Sequence, residues 1–209
     1  GEPFELRDIR ALNYIIGPLG SGKTRFAHSL AQALPDAVFL GLQRLEETEV
    51  AGAKARLHAD NRLKSRVDEA LAWLEEDGAT PSDALSVLLS ELEAEGSATL
   101  IVDMIEQGLV QPTQEALIAW LRRRAPGARP IFMLTRSSAI LDLSAVGPDE
   151  IIILCPANHS PPMQVAPYSG APGYEAVATC LASPEVQART AGVIAWFPPG
   201  RVEAAAATP

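Results

Sequence analysis

Apolar residues along this chain fall into short continuous runs, separated by longer stretches in which they recur every three or four positions. The runs are Leu12-Asn13-Tyr14-Ile15-Ile16, residues 37–42, residues 98–103, residues 130–135 and residues 149–155. Runs this short, rich in Ile, Val and Leu, predict strands buried on both faces, as in a parallel sheet. A further edge strand is expected within residues 3–12, where Phe4 and Leu6 alternate with polar neighbours.

The stretches between the runs read as helices. Phe26, Leu30, Ala33 and Leu34 share one face of a helix that Pro35 closes. From Gln43 to about Glu76 the chain is charged and rich in helix formers, with Leu63, Val67, Ala70, Leu71 and Leu74 as its apolar stripe. Thr80 or Ser82 is expected to cap a helix from Ala84 to about Glu95, striped by Leu85, Leu88, Leu89 and Leu92 and ended by Gly96. Residues 112–124 form another, with Pro112 near its start and Ala116, Leu117, Trp120 and Leu121 on one face. Strands alternating with helices predict an α/β fold: three layers, a mostly parallel central sheet with helices on both faces, and a short helical insert at about 43–95. Beyond Pro156 the texture changes, since eight of the 17 prolines lie between 156 and 199. Helices at 174–182 and 184–190 and a strand at 193–197 are expected there. Residues 1–197 read as one domain and 198–209 as a tail without fixed structure.

Composition narrows the setting. The net charge of −9 argues against binding bare nucleic acid over a broad surface, though not against a local basic patch. Arg56, Arg62, Lys64 and Arg66 make one such cluster, for which a solvated helix face is the ordinary reading and an anion contact the alternative. Cys155 and Cys180 lack metal-ligand spacing and read as free thiols of a reducing compartment. No apolar run approaches the roughly 18 residues that span a bilayer, and no basic start leads into an apolar stretch. A cytoplasmic protein without membrane insertion is therefore expected. The start at Gly1 suggests that a partner domain lies outside this chain.

Chemistry enters at Gly17-Pro18-Leu19-Gly20-Ser21-Gly22-Lys23-Thr24, which fits the phosphate-binding pattern G-x-x-x-x-G-K-[ST]. A strand precedes it and a helix follows, beginning near Arg25, which is the arrangement that confirms the motif. Glycines let backbone N–H groups turn inward with no Cβ in the way, and the helix N-terminus favours an anion. Lys23 is placed to reach the β- and γ-phosphates of a nucleotide, and the Thr24 hydroxyl to ligate Mg²⁺. Asp103 ends a strand 80 positions after Lys23, where a carboxylate can hold that metal directly or through water.

The order of parts then carries a resemblance. The strand after the acid strand ends in polar Thr135, as in the P-loop class with an extra strand between the loop strand and the acid strand. The run Leu100-Ile-Val-Asp-Met-Ile-Glu-Gln-Gly-Leu109 resembles the ATP-binding cassette and SMC/RecF-like ATPases, which carry an Asp-Glu-Pro-Glu-x-Gly-Leu type of segment there. Leu134-Thr-Arg-Ser137, followed by Asp149 to Leu154, is similar to their switch segment and the strand behind it. The resemblance spans roughly residues 4–155. It implies MgATP as ligand and hydrolysis as the reaction, with a protein partner or a second copy closing over the nucleotide. The departures are specific. The family's water-polarising acid is replaced by Met104, so Glu106 must serve if any carboxylate does. The switch histidine position holds Arg136, which can grip a γ-phosphate by charge. The family's signature Ser with two glycines has no match in Ala79-Thr80-Pro81-Ser82-Asp83.

The expected function is thus a slow or partner-stimulated ATPase acting as a nucleotide-dependent switch, with Lys23, Glu106 and Arg136 as its catalytic groups. A near-inactive nucleotide-binding module is one alternative. A small-molecule or nucleotide kinase is another, with Arg122-Arg123-Arg124 as a phosphate-clamping lid. For the triple arginine, a helix end favoured by the dipole is the plainer reading. His159 in its proline-flanked loop reads as structural or exposed, His28 as helix packing or surface, and Tyr14 as a buried strand tyrosine rather than a face for a base.

Overall fold

A computed structural model describes residues 5–6, 8–124, 127–157 and 160–181. His159, the expected helix at 184–190, the strand at 193–197 and the tail at 198–209 lie outside the described residues.

The elements run β1 (Leu12–Ile16), α1 (Lys23–Ala33), β2 (Ala37–Leu40), a 3₁₀ turn (Leu42–Leu45), α2 (Glu47–Ala59), α3 (Asn61–Glu76), α4 (Asp83–Leu92), β3 (Thr99–Val102), α5 (Gln111–Arg122), β4 (Ile131–Leu134), β5 (Glu150–Leu154), β6 (Met163–Val165) and α6 (Tyr174–Leu181). The strands form one sheet in the order β2-β3-β4-β1-β5-β6. Every pairing is parallel except β5 with β6. Thus β4 lies between the loop strand β1 and the acid strand β3, as expected from the order of parts.

Alternation along the strands divides the core. Tyr14, Ile16, Leu100, Val102, Met133, Ile152 and Leu154 face a large cluster built with α3, α4 and α5. Ile15, Ile101, Phe132, Leu134 and Ile153 face the opposite side, where Ala27 and Leu30 of α1 cover them. Both sheet faces are apolar, which is why the strands carry unbroken hydrophobic runs.

Several boundaries differ from the sequence expectation. The edge strand is not formed by the described residues among 3–12; Arg10 instead donates to the carbonyls of Pro148 and Glu150 across the strand starts. β2 stops at Leu40, because Gly41 starts the 3₁₀ turn. The charged stretch is broken at Asp60, whose carboxylate accepts from the N–H groups of Arg62 and Leu63 and caps α3. Ser82 rather than Thr80 caps α4, accepting from Leu85 N. β6 was unexpected within the proline-rich segment. It is three residues long, too short for a two-residue alternation to register.

Candidate functional site

The site grows from the sharp exit of β1. The residue after this strand must be small: a Cβ on Gly17 would meet the Cys155 carbonyl oxygen at 2.4 Å and Ser21 Oγ at 2.6 Å. Gly22 then adopts φ 87° and caps α1, a conformation that side chains disfavour. Pro18 accepts the N–H of Ser21 at 3.3 Å, tightening the loop, while Leu19 at its tip is 87% exposed. Gly20, between them, is also left-handed at φ 78°. Arg25 is exposed on the first turn of α1.

Lys23 is folded into its own loop. Its Nζ donates to the carbonyl oxygens of Gly17 at 2.7 Å and Pro18 at 2.9 Å. Burial pushes its pKa below the usual lysine value, and the positive charge of Arg136 pushes the same way; Cys180, Cys155 and Asp103 oppose them. Arg136 and Asp103 thus both act on the Lys23 charge, although the three follow separate strand ends. Ser21 Oγ is buried with no hydrogen-bond partner among the described residues. An orphaned hydroxyl inside a glycine loop fits a loop built to receive oxygen atoms from outside.

Thr24 and Asp103, 79 positions apart, meet directly: Thr24 Oγ1 donates to Asp103 Oδ2 at 3.0 Å. Asp103 is only 8% exposed. Its N–H donates to Leu40 O, which extends the β2 pairing by one step. Among the described residues no group of three or more His, Cys, Asp or Glu side chains is gathered to hold a metal. A hydroxyl beside one carboxylate is instead the donor set of Mg²⁺, which takes few protein oxygens and completes its shell with phosphate and water.

The chain reverses immediately after Asp103. Met104 takes φ 47°, and Gln107 N donates to Met104 O. This turn carries Glu106 to the segment after β4, where Glu106 Oε1 accepts the N–H of Arg136 at 2.9 Å. Glu106 Oε2 is buried and has no hydrogen-bond partner among the described residues. The turn after Asp103 thus brings Glu106 against the backbone of Arg136.

Arg44 was missed by the sequence reading. It is 3% exposed, and its guanidinium donates to the carbonyls of Gly41, Asp103 and Met104. The only signal was one arginine between Leu42 and Leu45, which reads as an ordinary amphipathic turn.

Other candidates find structural partners. Tyr14 is fully buried and donates to Glu150 Oε2, with burial and that carboxylate pushing its pKa far up. Arg122 pairs with both oxygens of Glu150, Arg123 lies over the Trp73 ring and Arg124 over the Trp120 ring. His28 stacks near Phe39 at the exposed edge of α1. Arg56, Lys64 and Arg66 pair with Glu91, Asp68 and Glu95. Cys155 and Cys180 form no disulfide among the described residues, and burial pushes the Cys155 thiol up to about 11. A cavity of about 870 Å³ lies at the other end of the sheet, among Arg10, Leu12, Arg122, Ile131 and Glu150. No helix among the described residues is long and apolar enough to cross a membrane.

No family model matches this chain, and no curated protein matches it in sequence. Solved structures do match in shape. A dimeric bacterial ABC transporter cassette superposes with a TM-score of 0.52 at 12% identity, covering 75% of this chain and 87% of its own. The ADP form of an ATP-binding cassette of an ABC transporter superposes at 0.50 and 13% identity, covering 87% and 88%. An archaeal ribosome recycling factor, in complex with a ribosomal stalk protein, reaches 0.48 at 12% identity; the alignment covers 72% of this chain and spans 37% of that one. With a glycine loop at the end of β1, an acid at the end of β3 and β4 between them, this chain is a P-loop α/β domain with the fold of the ATP-binding cassette ATPases.

Proposed function

We propose that this protein binds MgATP at Gly17–Thr24 and Asp103 and hydrolyses it slowly, as a nucleotide-dependent switch. The observation that carries the reading is the 3.0 Å contact between Thr24 Oγ1 and Asp103 Oδ2, made across 79 positions of chain at the mouth of the glycine loop. A hydroxyl and a carboxylate at that place are the oxygen pair that a phosphate-bound Mg²⁺ takes. Bound Mg²⁺ would supply charge neutralisation for the β- and γ-phosphates.

The chain's own groups would do the rest. Backbone N–H groups of the loop would receive phosphate oxygens, and Lys23 would leave the Gly17 and Pro18 carbonyls to pair with them. Arg136 would add charge at the γ-phosphate. Glu106 would accept a proton from the attacking water through Oε2, the oxygen that Arg136 N–H does not use. Met104 offers no acid or base, which accounts for slow turnover. Three exposed apolar side chains, Leu19, Leu42 and Val110, follow the carboxyl ends of β1, β2 and β3. They support a protein partner or a second copy meeting this rim and stimulating the reaction.

The kinase reading has less support. Arg122 is held by Glu150, which pairs in register with Leu12 at the start of β1. The phosphate loop leaves the other end of that strand, roughly 13 Å away at about 3.3 Å per residue. The triple arginine is therefore no lid over the nucleotide.

Isothermal titration calorimetry tests the proposal. The wild-type chain is expected to bind ATP with Mg²⁺ present, and Lys23→Ala to weaken that binding by at least about tenfold, the cost of one charge-assisted contact. A folded wild-type chain that gives no heat with adenine or guanine triphosphates would end it.

A further inference from the structure

Arg44 sits where no charge belongs unless something there needs it. It lies in the 3₁₀ turn after β2, is 3% exposed, and makes no ion pair by direct contact among the described residues. Both terminal nitrogens of its planar fork donate. One nitrogen donates to Gly41 O at 3.0 Å and Asp103 O at 2.7 Å, and the other to Met104 O at 2.7 Å. The carbonyls of Asp103 and Met104 are consecutive and directly follow β3, at the point where the backbone turns left-handed at Met104. A lysine, with a single charge centre, could not hold both in one plane.

Burying a guanidinium is costly, and carbonyl dipoles alone repay little of it. The carboxylates of Asp103 and Glu106 act on the Arg44 charge without touching it. Arg44 therefore takes up none of their carboxylate oxygens: Asp103 Oδ2 accepts from Thr24 Oγ1, and Glu106 Oε1 accepts the N–H of Arg136. The same fork fixes the turn that separates the two acids. Arg44 also stands at the junction between the core and the helical insert that begins with α2.

Resting on the nucleotide reading above, we propose that Arg44 is a positioning residue: by clamping the main chain at Asp103 and Met104 it sets the metal carboxylate against Thr24 and aims Glu106 at the segment after β4. It touches neither nucleotide nor metal. Its effect should therefore appear in how Mg²⁺ improves nucleotide binding, and not in binding of the phosphates by the loop itself.

The experiment titrates ATP into the whole chain in EDTA and again in Mg²⁺, for wild type, Arg44→Met and Arg44→Lys. Folding is checked by circular dichroism. Arg44→Met is expected to keep its metal-free affinity within about twofold and to lose about tenfold in the Mg²⁺-dependent gain, the range typical of groups that orient a metal ligand. Arg44→Lys is expected to fall between, since it retains the charge and one contact. In an Asp103→Asn background, Arg44→Met should add no further loss, because the clamp acts through that carboxylate. Equal weakening with and without metal in folded variants would mean that Arg44 is only structural, and would overturn the proposal. So would a wild-type Mg²⁺ gain in both variants. If Arg44→Met does not fold, Arg44→Lys alone decides by the same criterion. Failure of the wild type to bind MgATP would instead overturn the nucleotide reading.

Discussion

Met104 directly follows Asp103, and its φ of 47° lies in a region that favours glycine. That conformation is held by Arg44 and by Gln107 N on the Met104 carbonyl. It turns the chain so that the next carboxylate, Glu106, reaches Arg136 N–H. A single-turnover assay separates the two positions. Glu106→Gln keeps the amide-accepting oxygen but loses the base, so hydrolysis is expected to fall by roughly 10²-fold while MgATP affinity stays within about twofold. Met104→Glu in that background should recover part of the rate. Unchanged hydrolysis in Glu106→Gln would remove Glu106 from the proton-accepting role. In the sequence the glycines, Lys23 and Thr24 were marked as candidates by residue type at a fixed spacing, and Asp103 by its place at the end of an apolar run. Arg44 was not, because its partners are backbone carbonyls, which leave no mark in the residue string.

Among the elements, strands buried on both faces were the most legible, since β1, β3, β4 and β5 are covered on either side and carry mostly apolar runs. α3, α4 and α5 were legible for the complementary reason that one stripe of each is buried. The division of the charged stretch was not. Residues on either side of Asp60 are equally good helix formers, and only the side-chain cap, accepting from Arg62 N at 2.9 Å and Leu63 N at 3.0 Å, marks the break. Those two bonds hold the Asp60 carboxyl below its usual range, with the Leu63 bond the largest cause. Because the folded-state pKa is depressed, this contribution is present above the ordinary carboxylate pKa and is lost as pH falls through the folded value. Asp60→Ala should therefore lower Tm at neutral pH, and the gap to wild type should close on acidification below the usual aspartate range. A gap that stays constant down to acid pH would mean that the ionised cap is not what holds α3.

At the scale of the molecule, the candidate site is assembled from segments remote in sequence: the loop after β1, the turn after β3, the segment after β4 and Arg44 after β2. Each is short and leaves a parallel strand at its carboxyl end, so the packed sheet sets their relative positions. Strand order was legible as far as β4 between β3 and β1, while antiparallel β6, set beyond β5, was not. An assembly of this kind should be tightened by a ligand that touches several of its segments at once. A ligand that binds only the folded state, at about 100 times its Kd, stabilises it by about 2.7 kcal/mol. For a domain near this size, each kcal/mol shifts Tm by roughly 2–4 °C. MgATP in such excess should thus raise the wild-type Tm by roughly 5–10 °C in differential scanning fluorimetry, EDTA should remove most of the shift, and Lys23→Ala should remove nearly all of it. If Mg²⁺ alone gave the full shift, the nucleotide would not be the group that joins these segments. If ATP in EDTA gave it, Thr24 and Asp103 would owe their contact to packing and not to a metal.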